Sequence, residues 1–114
     1  MLDYASIVIE AMAFESTVGR AEESIQLMSA AADPVRWRLL TELSAAGTRC
    51  VCDLQPVAAV APNVLSYHLK VLREAGLVTS AKRGRWVDYT LAPAAHARLQ
   101  QALPTTGVLA ASTL

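Results

Sequence analysis

Residues 62–91 read PNVLSYHLKVLREAG and then LVTSAKRGRWVDYTL, and the apolar period changes between the two halves. In the first half Leu65, Leu69 and Leu72 recur at helical spacing and form one stripe. Pro62 suits the first helical position, where its missing N–H has no partner in any case, and Gly76 is a stop signal. In the second half, two β-rich runs flank Arg83-Gly84-Arg85, the pattern of a hairpin with a basic tip. A helix running straight into a hairpin is the second part of a winged helix-turn-helix. The first part must then lie upstream.

It does. Asp33-Pro34 pairs an N-cap residue with a first-turn proline and opens VRWRLLTELSAAG, with Val35, Leu39, Leu40 and Leu43 on one stripe and a stop at Gly47. Asp53 reads as the cap of a shorter helix, LQPVAAVA, in whose first turn Pro56 is tolerated. A helix from about Ala21 to Ala31, with Ile25, Leu27 and Met28, precedes these elements. The first twenty residues carry Leu2, Ile7, Ile9, Met12 and Phe14 in a helix-compatible pattern before the break at STVG. A last short helix, about Ala94 to Leu103, leads to a tail expected to be loose at its end. The predicted fold is mainly α, a winged helix-turn-helix with a two-stranded β-hairpin wing. Residues 1–20 form an arm suited to a dimer contact, 21–103 the DNA-binding domain, and 104–114 the tail.

With 114 residues the chain holds one small domain, and 54% hydrophobic residues leave apolar surface beyond the needs of a core. No apolar run approaches the ~20 residues of a membrane span, and the start of the chain carries acids where a signal peptide carries bases. A cytoplasmic location is expected. The formal net charge is zero but unevenly spread. Residues 1–33 hold Asp3, Glu10, Glu15, Glu22, Glu23 and Asp33 against Arg20 alone. Residues 63–91 hold Lys70, Arg73, Lys82, Arg83 and Arg85 against Glu74 and Asp88. The basic region is the part suited to phosphates.

In a helix-turn-helix the second helix enters the major groove. Asn63, Ser66, Tyr67 and Lys70 lie opposite its leucine stripe. Asn pairs bidentately with adenine and Ser serves as donor or acceptor, while Tyr67 suits a base, a thymine methyl or a phosphate. Lys70 and Arg73 are placed to neutralise backbone charge, and Lys82, Arg83 and Arg85 to meet phosphates or a minor groove. His68 is assigned to the core edge, and Trp37, Trp86 and Tyr89 to packing. No nucleophile–base pair and no Gly-rich phosphate loop is present, so an enzyme is not expected.

LMSAAADPVRWRLLTEL, CVCDL, LSYHLKVLREAGLV and GRWVDYTL resemble, in order and spacing, the ArsR/SmtB family of bacterial metal-sensing repressors, over roughly residues 21–103. The resemblance implies a homodimer joined through its first and last helices, operator binding, and release of the operator by metal. By position, Ser66 and Tyr67 match the family's Ser and His on the recognition helix, Asn63 matches a usual Ser, and Arg83 and Arg85 match the basic wing tip. Pro62 replaces a usual Gln, which removes one base contact.

Both cysteines lie in RCVCDL, Arg49 to Leu54. With one residue between them they are poorly suited to a structural disulfide, and reduced thiols are expected. In extended chain, residues i and i+2 point to one side, whereas inside a helix they sit about 200° apart. Cys50 and Cys52 can therefore chelate one ion only at or before a helix start, where the helix N-terminus and Arg49 favour thiolates. The resemblance makes CVCDL a site for arsenite, antimonite, cadmium or lead, one ion per subunit. Gln55 stands where relatives often place a further Cys, and His96 alone represents the family's other site on the last helix. Three readings stand: a regulator released by a thiophilic metal or metalloid; a DNA-binding subunit dependent on a partner protein or on another metal such as nickel; and a thiol redox switch.

Overall fold

The structure, a computed structural model, describes residues 19–104. The apolar arm up to residue 18 and the tail from residue 105 lie outside the described residues, with the expectations placed on them. Residues 19–31 are helical (α1) and are followed by α2 (Pro34–Ala46), β1 (Arg49–Cys50), α3 (Val51–Ala58), α4 (Pro62–Glu74), β2 (Val78–Arg83), β3 (Trp86–Leu91) and α5 (Ala95–Ala102).

The start of α2 follows its capping residue. Asp33 Oδ1 accepts from the backbone N–H groups of Val35 and Arg36 at 2.9 and 3.1 Å, and Pro34 fills the first turn. The helix ends at Gly47, whose N–H reaches the Leu43 carbonyl. The start of α3 differs from expectation: Cys50, not Asp53, is the N-cap. Cys50 Sγ accepts from the Asp53 N–H at 3.3 Å, and the Asp53 carboxylate accepts from the Cys50 N–H at 3.3 Å. This reciprocal pair is a capping box with sulfur in place of the usual hydroxyl. Counted from Val51, Pro56 is the sixth helical residue, past the first turn, so the Cys52 carbonyl loses its i+4 donor.

Ala59, in the left-handed region at φ 54°, turns the chain from α3 into α4. Leu65, His68, Leu69 and Leu72 are the buried residues of α4, as the leucine stripe required. Gly76, at φ 74°, reverses the chain, and the Leu77 N–H closes back on the Leu72 carbonyl at 3.0 Å. The hairpin pairs Arg83 with Trp86 across a two-residue loop that needs the positive φ of Gly84, 64°. A third strand joins this wing. The order is β1-β3-β2, all antiparallel, with Arg49 opposite Tyr89 and Cys50 opposite Asp88.

The core gathers Leu39 and Leu43 of α2, Leu54 of α3, the α4 leucines, Leu77, Val78 and Tyr89, with Leu27 of α1 and Ala95 of α5 closing its ends. Each large side chain taken from water contributes about 1.5–3 kcal/mol before entropy is charged against it. Two residues assigned to packing are instead exposed: Trp37 is 61% and Trp86 44% accessible. Trp37 faces outward from α2, and Trp86 sits at the wing tip under Arg85. Among the described residues no helix is long and apolar enough to cross a membrane.

Candidate DNA-binding surface and thiol cluster

Asn63, Ser66, Tyr67, Lys70 and Arg73 are all exposed on α4, opposite its buried stripe. Their spacing puts them on neighbouring turns of one face. Lys70 lies 3.9 Å from Glu74, one turn on, a solvent-exposed pair of small energy. Tyr67 is 59% accessible and meets the His68 ring edge-on. His68 itself is buried, as assigned, with its Nδ1 2.9 Å from Arg36 Nη1.

The wing tip exposes Lys82, Arg83 and Arg85, but in three different situations. Among the described residues Lys82 makes no ion pair. Arg85 stacks its guanidinium 5.5 Å from the Trp86 ring centroid. Arg83 donates to the Asp88 carboxylate through Nε at 2.9 Å and Nη2 at 3.3 Å. That hydrogen bond, offset by slight desolvation and reinforced by the guanidinium charge, holds the Asp88 carboxyl below its usual range. Asp88 carries no signal in the sequence, because its role depends on strand register.

Cys50, Cys52 and Asp53 form a group whose sulfur and oxygen atoms lie within 4.8 Å of one another. The extended backbone of Cys50 (φ −75°, ψ 162°) turns its side chain onto the first turn of α3, where Cys52 meets it. The expectation of reduced thiols is corrected here. The two sulfurs are bonded as a disulfide, and the 5.3 Å between the Cα atoms lies within the range such a bond needs. Cys50 is buried, while Cys52 and Asp53 are exposed, so the group opens to solvent on one side.

Reduced, the same sulfurs suit one soft ion, and Asp53 supplies a third, harder ligand atom. The sequence pattern marks Asp53 only as a cap; that its carboxylate lies beside both sulfurs is visible in the structure alone. Gln55 is engaged elsewhere, its amide donating to the Val60 carbonyl. Arg49, expected to support thiolates, instead pairs with Glu42 at 3.2 Å. His96 is exposed on α5 beside Ser44 at 3.4 Å and joins no ligand cluster among the described residues.

Comparison with known proteins agrees with this architecture. Residues 33–80 match the model of the bacterial regulatory protein, arsR family. The arsenical resistance operon repressor of Bacillus subtilis (strain 168) is 42% identical over 66 residues, covering 58% of this chain and 63% of the relative. The repressor of the same name from Escherichia coli (strain K12) is 42% identical over 69 residues, covering 60% and 59%. The matches thus span less than two thirds of these relatives' own length. The crystal structure of a possible transcriptional regulator for arsenical resistance superposes with a TM-score of 0.63 at 34% identity, covering 76% of this chain and 95% of that one.

Proposed function

We propose that this chain, which belongs to the arsR family of bacterial regulatory proteins, is a cytoplasmic, homodimeric, operator-binding repressor released by a thiophilic metal or metalloid at Cys50 and Cys52. The observation that carries the reading is the meeting of both cysteines with Asp53 at the start of α3, the helix that leads through one turn into α4. An ion gripped there pulls on the N-terminus of the first helix of the reading motif. To act at all, the ion must bind the DNA-free shape better than the DNA-bound one. The names of the repressors from B. subtilis and E. coli point to arsenicals as the ligand class.

Asn63, Ser66, Tyr67, Lys70 and Arg73 would face the major groove, with Lys82, Arg83 and Arg85 on phosphates. Half-sites would stand about one helical turn, roughly 34–36 Å, apart. An open groove of about 890 Å³ between α1 and the end of α5 with the residues after it supports the dimer. Met28 and Ala102 line it with Ile25 and Leu103, which are 67% and 49% accessible. Residues 1–20 would add to this contact, 21–103 form the reading domain, and 104–114 extend beyond it.

The test is titration of operator DNA with wild type and Cys50→Ser/Cys52→Ser, under reducing conditions, with and without arsenite or cadmium. Wild type should lose about 5- to 150-fold in affinity when loaded. The serine variant should bind DNA normally and ignore the ion. A wild type deaf to every soft ion, nickel included, would hand the reading to partner-dependent regulation. The disulfide favours one second reading, a redox switch: a peroxide takes two electrons from the two thiolates, and the bonded sulfurs can then no longer hold an ion. Loss of operator affinity on peroxide treatment, reversed by dithiothreitol and absent from the serine variant, would identify it.

A further inference from the structure

Arg83 occupies the exposed wing tip, yet the Nε–Nη2 edge of its guanidinium is already engaged by Asp88. The two partners are unequal. The Asp88 side chain is 18% accessible and that of Arg83 65%, so the carboxylate is the fixed end and the guanidinium the end able to swing. A phosphate approaching that side needs the same pair of N–H donors that the carboxylate fills, while the Nη1 end stays open. That edge therefore cannot serve both at once.

Asp88 also stands at the middle of a row that crosses the whole sheet. Its strand partners are Ala81 on β2 and Cys50 on β1. Cys50 is at once the partner of Asp88, the cap of α3 and one end of the thiol cluster. The charge of Arg83 is favoured first by its hydrogen bond to Asp88 and by that carboxylate's charge. The wing cation and the thiol cluster are thus linked through strand pairing, by way of Asp88.

We propose that Asp88 is a positioning residue for DNA binding: it withholds the Nε–Nη2 edge of Arg83 from phosphate and, as the strand partner of Cys50, relays the state of the thiol cluster to the wing. The inference rests on the reading of the wing as a DNA contact. Removing the carboxylate frees a phosphate contact, and any shift of Cys50 on ligation or oxidation reaches Arg83 through a single residue.

The experiment uses the full chain and a random-sequence duplex, since a phosphate contact carries no base preference. D88N should bind about two- to fivefold more tightly than wild type, the scale of an exposed ion pair no longer broken on binding. R83Q should bind more weakly, and D88N should bring no gain in the R83Q background. A gain of equal size in both backgrounds would reduce the effect to net charge and overturn the proposal. So would a folded D88N no tighter than wild type. If D88N lowers the melting temperature, D88T, a strand-favouring substitution, carries the same expectation. With cadmium chloride as the probe on operator DNA, the ratio of metal-free to metal-loaded affinity should shrink toward one in D88N while thiolate absorption stays as in wild type. An undiminished ratio overturns the relay. A wild type that binds no duplex overturns the functional reading and this inference together, whereas a wild type that binds and is matched by D88N overturns this inference alone.

Discussion

Arg36 of α2 donates from Nη1 to Nδ1 of His68, 2.9 Å away on α4. A guanidinium offers donors only, so in this contact Nδ1 is the accepting atom. The same Arg36 holds the end of α1 through the carbonyls of Ala30, 2.6 Å from Nε, and Ser29, 3.4 Å from Nη2. One side chain thus joins the element lining the proposed dimer groove to the helix proposed to read DNA.

Arg36→Ala should therefore cost about 2–3 kcal/mol, because it leaves the buried His68 nitrogen without a donor and frees the end of α1. Arg36→Lys should recover only part, since an ammonium cannot span the three acceptors. Urea denaturation measures both, and a loss below about 0.5 kcal/mol in the alanine variant would contradict the role.

Asp33 should give a pH-dependent cap. Its carboxyl is held below the usual range by the Arg36 N–H; slight burial opposes this, while the Arg36 charge, the Val35 N–H and His68 add to it. A depressed folded-state value contributes stability above the unfolded value, about 3.9, and that stability is lost as pH falls through the folded one. Asp33→Ala should cost about 1 kcal/mol at neutral pH. The gap from wild type should close below about pH 4, as measured by thermal melts across the acid range.

The turn between α3 and α4 makes a sharper demand on side-chain shape. Ala59 bears its Cβ at φ 54°, a conformation that costs an L-residue roughly 1–2 kcal/mol. Ala59→Gly should be neutral or stabilising by up to about 1 kcal/mol, strain relief being partly offset by a freer unfolded chain. Ala59→Val should cost more than about 1 kcal/mol. Equal melting temperatures for the glycine and valine variants would count against the assigned turn.

The two halves of the proposed DNA surface should separate by variant. Lys82→Ala and Arg85→Ala should weaken all duplexes alike and reduce the salt slope by about one unit for each phosphate no longer neutralised. Asn63→Ala and Ser66→Ala should instead narrow the gap between operator and random DNA by about 1–3 kcal/mol. Survival of operator discrimination in all four variants would move recognition off α4 and the wing.

What is legible in the sequence follows the range of the forces. Asp33-Pro34, the leucine stripe of α4 and the Gly84 turn are local signals, and α2, α4 and the hairpin stand where they point. The cap of α3 lies at Cys50 and not at Asp53 because a thiol, a weak acceptor outside the usual set, takes that role. Strand β1 escapes a reading by pattern because two residues carry no period, and their strand identity comes from Tyr89 and Asp88 far along the chain. Trp37 and Trp86 look like core residues on chemistry alone, which does not reveal whether a packing partner exists. The cysteine pair is legible as a cluster but not in its bonded state, since closing the sulfurs depends on the backbone of Cys50.

The length of β1 also sets an order of events on the ribosome. Strand β1 is two residues long and pairs only with β3, so its place in the sheet is fixed by distant residues, while only the cap at Cys50 is local. A nascent chain that has emerged only as far as the recognition helix carries both cysteines but no strand to fix their backbone. The tie between the cluster and the sheet is therefore made last, once Asp88 and Tyr89 are translated and the wing closes across the sheet, a non-local pairing of the slow kind. Until then Cys50 has its helix cap but not its strand partner, and the proposed sensor meets the wing only when the sheet is complete.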